Sequence, residues 1–390
     1  MYLTRQEEKM FDGEFGWAHQ VSMEILARLG DLFGAIKLIP IKSAHVSGVS
    51  YKNIGDAPID FLEALFKAGG KARVSATVNP SGFDPDYLTG RLPARYRLQQ
   101  SRILDAYKRM GIKPDLTCTP YYLREPRVGW HLAWSESSAS MYANSVIGAW
   151  SNREGGPSAL AAALVGKTPD YGVHRAENRQ PRALVKLDTV LQSDVEFGAL
   201  GIHLGKALKD KIPVIDGIPS PTNENLKQLG AGLASSGMLS MFHLQWEVPP
   251  KEELETISIG GKDVREAVGC LSTASERANL IFIGCPHCSL AEIESVARLV
   301  EGKRVTKETE LWVCTSRHVK EKAKRYVDVI EGAGGHVLCD TCAIVTWIKS
   351  LGVDIMMTNS AKAAYYAPTL NGVNVTLAPL NKCIEVACNQ

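Results

Sequence analysis

Short apolar runs alternate with amphipathic segments in the last third of the chain. The apolar runs have the length of buried strands and lie at 280–284, 311–316, 336–340 and 354–359. The segments 291–302 and 317–334 between them carry apolar residues at helical spacing. This alternation predicts an α/β fold with a mostly parallel sheet.

The first two thirds of the chain repeat this pattern less regularly. Strands are predicted at 35–43, 72–78 and 211–217, and helices at 18–30, 59–69 and 95–110. The stretch 120–160 is rich in Gly, Ser, Asn and aromatic residues, which predicts irregular or loop-helix structure.

The length of 390 residues predicts at least two lobes with a ligand-binding cleft, since single cores stop growing near roughly 250–300 residues. The polar stretch 247–266 is the candidate boundary, which separates an N-terminal region 1–265 from a C-terminal lobe 266–390.

Charge and composition exclude several classes of protein. Lysine and arginine total 44 against 42 acidic residues, so the net charge of +2 provides no strong field toward nucleic acids or membranes. The N-terminus lacks the apolar core of a signal peptide, and no apolar run approaches the ~20 residues of a membrane span. We therefore expect a soluble cytoplasmic protein, in which clustered cysteines indicate metal binding or catalysis more often than disulfides.

Polar residues gather directly after the predicted strands. Parallel sheets bind ligands at the carboxyl ends of their strands, and there the chain has the loops 44–52 and 79–83, rich in Gly, Ser and Asn. After the strand at 354–359, Ser360 suits a helix N-cap and Lys362 falls in the first helical turn, a favourable place for an anion, although a solvated lysine is an equally ordinary interpretation. In the stretch 142–160, Arg153 could bind a carboxylate and Glu154 could move a proton, unless the two form an internal pair.

The cysteines allow three interpretations. C-x-x-C at 285–288 and at 339–342 has the count of a zinc site, and the pair 285–288 could also be a redox dithiol. Alternatively Cys118, Cys285 and Cys342, each at the end of a strand-like segment, could hold an iron–sulfur cluster. Three cysteine ligands leave one iron open, and an open iron is a Lewis acid for a substrate hydroxyl.

Several motifs together resemble the large subunit of the X-type aconitase family. These are VSGVSYKNIGDA, NPSGFD, LTCTPYY, SVIGAWSNREGGPSALAAALVGKTPDYG, FIGCPHCSL, DTC and TNSAKAAYYAP. The resemblance extends from the N-terminus almost to the C-terminus, and NREGGPSA is its most specific block. It implies an aconitase-like α/β fold of several lobes, with the active site at the carboxyl ends of the strands. It also implies a separate small subunit, because the chain ends without room for the swivelling domain.

The resemblance assigns roles to individual residues. Cys118, Cys285 and Cys342 are the implied ligands of a 4Fe-4S cluster with one open iron, in preference to a 2Fe-2S cluster or a mononuclear iron, and Cys288 becomes a neighbour. Separately from these implied roles, we expect Ser50, Arg153 and Glu154 to be the catalytic residues. The implied substrate contacts are Gly48, Val49, Ser50, Asn79, Pro80, Ser138, Ala139 and Lys362.

The resemblance also implies the reaction. We expect a hydro-lyase that converts (R)-5-phosphomevalonate to trans-anhydromevalonate 5-phosphate and water in the archaeal route to isoprenoids. The enzyme would be a heterodimer with a small subunit that supplies the swivelling domain and the serine base. The alternative within the family is dehydration of cis-3-hydroxy-L-proline. Alternatives from other classes are an iron–sulfur sensor that binds nucleic acid and a zinc-stabilised scaffold, and the near-zero net charge counts against the sensor.

Overall fold

The computed structural model describes residues 1–244, 254–274 and 278–388, and chain contacts divide it into two units. Unit 1 comprises Met1–Phe83 and Pro93–Gln180, and unit 2 comprises Asp84–Leu92 and Pro181–Gln390. The boundary predicted near residue 265 falls within unit 2, and residues 247–253 of the stretch that suggested it lie outside the described residues. The division into 1–265 and 266–390 therefore stays a prediction.

Unit 1 is built on a three-stranded parallel sheet in the order β3-β2-β4. Its strands are β1 Leu38–Pro40, β2 Ser43–Val46, β3 Ser75–Val78, β4 Leu132–Trp134 and β5 Lys167–Pro169, and β1 pairs with β5 in a separate antiparallel ribbon. Its α-helices are α1 Arg5–Phe11, α2 Trp17–Leu32, α3 Tyr51–Ile54, α4 Ala57–Lys67, α5 Ala94–Arg109, α6 Ser137–Tyr142 and α7 Gly156–Val165. Short 3-10 turns span Pro120–Tyr122, Gly172–His174 and Ala176–Arg179, and a π-helical turn spans Ala143–Ile147.

Local sequence accounts for the helices of unit 1. Thr4 and Glu7 form a reciprocal capping box that begins α1. Helix α7 is alanine-rich and apolar on all sides, and every residue from Ser158 to Val165 is buried. A helix without a polar face is stable only inside a core, so α7 lies in the interior of unit 1.

Unit 2 contains two parallel sheets, one of three strands in the order β7-β6-β8 and one of five strands in the order β11-β10-β9-β12-β13. The strands are β6 Ala183–Leu187, β7 Pro213–Asp216, β8 Glu255–Ile259, β9 Leu280–Ile283, β10 Glu310–Thr315, β11 His336–Cys339, β12 Ile355–Thr358 and β13 Asn374–Leu377. The α-helices are α8 Asp194–Leu208, α9 Asn223–Ser236, α10 Gly261–Gly269, α11 Leu290–Val300, α12 Arg317–Lys322, α13 Lys324–Gly332, α14 Ala361–Asn371 and α15 Leu380–Cys388, and Ile348–Leu351 forms a 3-10 turn.

The predicted alternation of strands and helices in the last third is confirmed. All four residues of β9 are buried, as are the last five of β10, which accounts for continuous apolar runs in place of an alternating pattern. The predicted helix at 317–334 is two helices, α12 and α13, with a break at Ala323. No helix within the described ranges is both long and apolar enough to cross a membrane.

The prediction of one strand at 35–43 is wrong. Strand β1 ends at Pro40, which lacks the amide hydrogen needed to continue a ladder, and a new strand, β2, runs from Ser43 to Val46. Residues 44–46 therefore belong to a strand, and the loop that follows begins at Ser47.

Candidate functional site

The predicted substrate loops of unit 1 meet at one edge of its parallel sheet. Val46 at the end of β2 pairs with Val78 at the end of β3, and His45 pairs with Trp134 at the end of β4. The chain beyond each strand therefore leaves from the same edge. The residues that follow these ends include Gly48, Val49 and Ser50 after β2, Asn79 and Pro80 after β3, and Ser138 and Ala139 after β4.

Two glycines shape the loop after β2. Gly48 has φ +75°, a backbone conformation that residues with a Cβ rarely adopt. Gly156, in the NREGGPSA block, lies so close to Ser47 that a Cβ would come within 2.6 Å of the Ser47 carbonyl oxygen. The Gly-Gly-Pro turn therefore packs directly against the loop that contains Ser50, which is itself 2% exposed.

Cys118 lies at this same edge of unit 1. Leu116 forms an isolated parallel bridge with Val78, and the Thr117 amide donates to the Val78 carbonyl at 3.1 Å. Cys118 thus follows a short extension of the sheet beside β3, and its residue is 9% exposed. The prediction that it follows a strand-like segment is consistent with this position.

A buried hydrogen-bond chain joins two of the predicted substrate residues, Asn79 and Ser138. The His45 Nε2 is 2.8 Å from the Asn79 Oδ1, and the Asn79 Nδ2 donates to the Glu136 Oε2 at 2.7 Å. The Ser138 hydroxyl donates to the Glu136 Oε1 at 2.8 Å. Glu136 therefore sets the orientation of both Asn79 and Ser138.

Sequence reasoning missed His45 and Glu136. His45 is fully buried, and burial lowers its pKa to about 4 although the bond to Asn79 and the charge of Glu136 act in the opposite direction. The ring is therefore neutral at physiological pH, with Nε2 donating to Asn79 and Nδ1 accepting from Thr77 at 2.7 Å. Glu136 precedes α6 as its N-cap, and an acidic residue directly before SSAS was the available signal.

Arg153 and Glu154 lie next to the end of β4. Trp134 forms a parallel bridge with Arg153, and the Glu154 amide donates to the Trp134 carbonyl at 3.2 Å. The Glu154 carboxyl accepts from the Ser158 hydroxyl at 2.6 Å and from the Thr168 hydroxyl at 3.0 Å, while burial raises its pKa. The two hydroxyl donors therefore fix the orientation of the Glu154 carboxyl.

Unit 2 brings Cys285 and Cys342 to the carboxyl edge of its five-stranded sheet. Cys285 follows β9 and Cys342 follows β11, and these strands flank β10 in a wholly parallel sheet. The residues are 6% and 7% exposed. The Cys285-Pro286 peptide bond is cis.

Lys362 lies at the same edge of unit 2, in the first turn of α14. Ser360 caps this helix by accepting from the Ala363 amide at 3.2 Å, and its hydroxyl also donates to the Cys285 carbonyl. The residue Lys362 is 9% exposed. A single serine therefore ties the Cys285 loop to the helix terminus at which a cationic side chain was predicted.

Three further cysteines of unit 2 have properties of buried thiols. Burial raises the pKa of Cys339 to about 12, and it also raises the pKa values of Cys288 and Cys314. The Cys288 amide donates to the Cys314 carbonyl at 2.9 Å, and the Thr315 hydroxyl donates to the Cys288 carbonyl at 2.7 Å. The backbone of Cys288 thus fastens its loop to β10.

The donor chemistry in unit 2 fits an iron–sulfur group. Within the described parts of the chain, no group of three or more His, Cys, Asp or Glu side chains has metal-binding geometry. Cys285 and Cys342 lie at one sheet edge, and cysteine thiolates are the usual ligands of such clusters. The hydroxyl of Thr341, next to Cys342, is buried without a hydrogen-bond partner among the described residues. Cluster sulfides and thiolates accept hydrogen bonds, so a bound cluster could satisfy this donor.

Comparison with known proteins shows the family. Residues 1–177 match the aconitase X first domain, residues 181–269 match the second domain, and residues 278–389 match the third domain. The chain belongs to the aconitase X family. The resemblance seen in its sequence motifs is thereby confirmed.

Individual aconitase X relatives span the whole chain. The phosphomevalonate dehydratase large subunit of Methanocaldococcus jannaschii is 46% identical, and the match covers 99% of this chain and 100% of the relative. The cis-3-hydroxy-L-proline dehydratase of Pseudomonas aeruginosa is 33% identical over 98% of this chain and 69% of the relative. The crystal structure of Thermococcus kodakaraensis aconitase X in its holo form matches 99% of this chain and 100% of that chain, with a TM-score of 0.93 and 40% identity. The predicted aconitase-like α/β fold is thus confirmed.

Proposed function

We propose that this aconitase X chain is the large subunit of a phosphomevalonate dehydratase, a hydro-lyase that converts (R)-5-phosphomevalonate to trans-anhydromevalonate 5-phosphate and water in the mevalonate route to isoprenoids. The observation that carries this proposal is the 46% identity, over the full length of both chains, to a relative of that name. Identity to the hydroxyproline dehydratase is lower, at 33%, and that relative is longer than the match.

A separate small subunit completes the proposed enzyme as a heterodimer. Relatives that match this chain from end to end are named large subunits, which supports a second chain. We propose that this partner supplies the swivelling domain and the serine that acts as base. We propose that the enzyme works in the cytoplasm, where reducing conditions keep cysteines available as metal ligands.

The proposed cofactor is a 4Fe-4S cluster held by Cys118, Cys285 and Cys342. The support is that each is a buried cysteine next to the carboxyl end of a parallel strand or strand extension. Bound there, the cluster would supply a Lewis acid for the leaving hydroxyl group. Cys288 is proposed as a structural neighbour because its backbone is bonded to β10.

The chain's own residues would bind and orient the substrate. We propose that Lys362, at the N-terminus of α14, binds the phosphate, because the ammonium group and the positive end of the helix dipole both favour an anion there. Arg153 or the Gly48–Ser50 loop would bind the carboxylate, and Asn79 with Ser138 would orient the carbon skeleton. Removal of a proton beside the carboxylate develops negative charge there, so cationic or N–H support lowers the barrier.

The reaction itself tests the proposal. The chain and its small subunit would be purified without oxygen, mixed with (R)-5-phosphomevalonate and assayed by mass spectrometry for a product lighter by one water. The large subunit alone and the complex without iron serve as controls. Absence of the dehydrated product from an iron-loaded complex would defeat the assignment, and so would stoichiometric zinc in place of iron and acid-labile sulfide.

The second candidate, dehydration of cis-3-hydroxy-L-proline, is supported by relatives at lower identity, 33% and 30%. That substrate has no phosphate, so Lys362→Ala separates the two. For phosphomevalonate we expect KM to rise by about 10- to 100-fold, since a charged hydrogen bond contributes about 1.5–3 kcal/mol. Lys324→Ala, which alters a 75% exposed lysine side chain, is the matched control. Turnover of hydroxyproline alone, unaffected by Lys362→Ala, would favour the second candidate.

A further inference from the structure

His287 lies inside the Cys285 loop and reaches the Cys342 loop. Its residue is fully buried, and its Nε2 is 3.0 Å from the carbonyl oxygen of Thr341, directly before Cys342. A carbonyl oxygen only accepts hydrogen bonds, so Nε2 carries the hydrogen and donates it. One side chain thus joins two loops that are far apart in sequence and carry two proposed cluster ligands.

The Cys285 loop is fastened through its backbone at several points. The Lys227 ammonium donates to the His287 carbonyl at 3.2 Å, and the Ser289 amide donates to the Glu292 carboxylate at 2.7 Å. The bonds of the Cys285 carbonyl to Ser360 and of Cys288 to β10 hold the remainder of the loop. The backbone that carries His287 therefore has little freedom to move.

The Cys342 loop has its own supports. The Asp84 carboxylate accepts from the Cys339 amide at 2.8 Å, where β11 ends. Asp340 has φ +64° and binds the Arg317 guanidinium at 2.6 Å. Downstream, the Asn371 side-chain Nδ2 donates to the backbone carbonyls of Ala343 and Thr346, each at 3.1 Å. Both loops are thus well anchored, and His287 couples one anchored segment to the other.

We propose that His287 is a positioning residue that holds the Cys285 and Cys342 loops in fixed register, so that two cluster thiols are already aligned before the cluster binds. The inference rests on the proposed function because it takes Cys285 and Cys342 as ligands. Residues that orient metal ligands without touching the metal typically change metal affinity by about 10- to 100-fold when altered. Preorganisation raises metal affinity because conformational entropy that the loops have already lost in the unbound protein does not oppose binding.

Three variants of the full-length chain test the role of His287. His287→Leu introduces an apolar side chain of moderate size and removes the donor to the Thr341 carbonyl. His287→Gln presents an amide N–H that can replace Nε2, so it serves as the conservative rescue. Thr376→Val in β13 removes a donor to the Ala274 carbonyl at 2.9 Å without changing shape, and it controls for loss of a partly buried side-chain hydrogen bond elsewhere in unit 2.

Two measurements separate positioning from general stability. Hydrogen exchange of the iron-free chain, followed by mass spectrometry, reports local opening of the loops. We expect His287→Leu to speed exchange in peptides covering both 284–289 and 340–344, by at least about tenfold, with near-normal rates in His287→Gln. After anaerobic reconstitution, iron release to a chelator should be about 10- to 100-fold faster in His287→Leu than in the wild type or in Thr376→Val.

The outcomes are distinct. Faster exchange in the 284–289 peptide alone, or equal iron release in all chains, would overturn the positioning role. A wild-type chain that binds no iron would overturn the proposed cofactor, and the exchange of the iron-free loops would still decide whether His287 holds them in register. If His287→Leu does not fold, the His287→Gln chain decides. Exchange and iron-release rates in His287→Gln that match those of the wild type support the proposal. Loop exchange in His287→Gln that matches the wild type together with loss of iron contradicts it.

Discussion

Replacing Lys227 with Met should destabilise unit 2 and with it the Cys285 loop. Lys227 on α9 forms a salt bridge with Glu292 on α11, and the two side chains are only 1% and 13% exposed. The Glu292 carboxylate also accepts from the Ser289 amide, and the Lys227 ammonium also binds the His287 carbonyl. Methionine fills most of the space of lysine but leaves the carboxylate without its cation.

The magnitude follows from the burial of this pair. Removing one partner of a buried ion pair costs about 3–5 kcal/mol, and the partial exposure of Glu292 favours the lower value, about 3 kcal/mol. For a domain of roughly 150–250 residues this lowers the melting temperature by about 6–12 °C. Glu292→Gln keeps an oxygen that can accept from the Ser289 amide. The double variant Lys227→Met/Glu292→Gln contains neither charge, so it should recover part of the melting temperature lost in Lys227→Met.

The pH dependence has a definite sign. Burial raises the pKa of Glu292, although Lys227 acts to lower it, so loss of the ammonium raises this pKa further. A folded-state pKa above the unfolded value stabilises the fold at low pH and loses that stabilisation as pH rises through the folded pKa. The deficit of Lys227→Met should therefore be smaller near about pH 5.5 than near about pH 8.

Thermal unfolding followed by circular dichroism, for the wild type, both single variants and the double variant, measures the coupling. A loss below about 2 °C in Lys227→Met, or single losses that simply add in the double variant, would refute the argument that the pair is buried and coupled. A deficit that grows toward acid pH would refute the account of Glu292.

Three further outcomes are expected. Cys285→Ser should lose the cluster and the activity to background, whereas Cys288→Ser should keep most of both, as measured by iron and sulfide content and by turnover. Thr341→Val should raise the melting temperature of the iron-free chain by about 2–4 °C, since it removes an unsatisfied buried hydroxyl, yet it should speed iron loss from the loaded chain. The free energy of unfolding of unit 1 should fall by about 3 kcal/mol as pH drops from about 7 to about 4. His45 has a pKa of about 4 in the folded chain, so over this range it binds a proton more readily when the chain is unfolded. Denaturant titration at several pH values measures this fall.

Each outcome has a clear opposite. Equal iron loss in Cys285→Ser and Cys288→Ser would make both thiols ligands and revive the C-x-x-C interpretation. A less stable iron-free Thr341→Val chain would mean that the hydroxyl has a partner in the protein. Acid stability that is the same in the wild type and in His45→Gln would remove His45 as the titrating group.

The ends of the predicted strands were the most informative feature of the amino-acid sequence. The apolar runs that become β9, β10, β11 and β12 are long enough and apolar enough to be recognised alone, because strands buried on both faces need continuous hydrophobic side chains. The carboxyl edge then follows from parallel pairing. Periodicity failed at residues 35–43, where Pro40 separates two strands that pair with different partners.

The residues that organise the site were not predictable in this way. His45, Glu136 and His287 resemble ordinary polar residues in the sequence. Their roles depend on distant partners: Asn79 lies 34 positions from His45 and 57 from Glu136, and Thr341 lies 54 from His287. Hydrogen bonds between such distant residues are directional and act over about 3 Å, so only the folded chain defines them.

The sequence by itself determined the α/β class, the strand ends that carry Cys285, Cys342 and Lys362, and through its motifs the family. It did so because burial and strand pairing impose periodic patterns on the sequence. In addition, few residues other than glycine fit at Gly48, which has a positive φ, or at Gly156, where a Cβ would contact the Ser47 carbonyl. The tertiary structure decided which polar atoms face each other, and hence which side chains orient the substrate loops and the cysteine loops. Burial then set their protonation, because desolvation depends on surroundings that no local stretch of sequence contains.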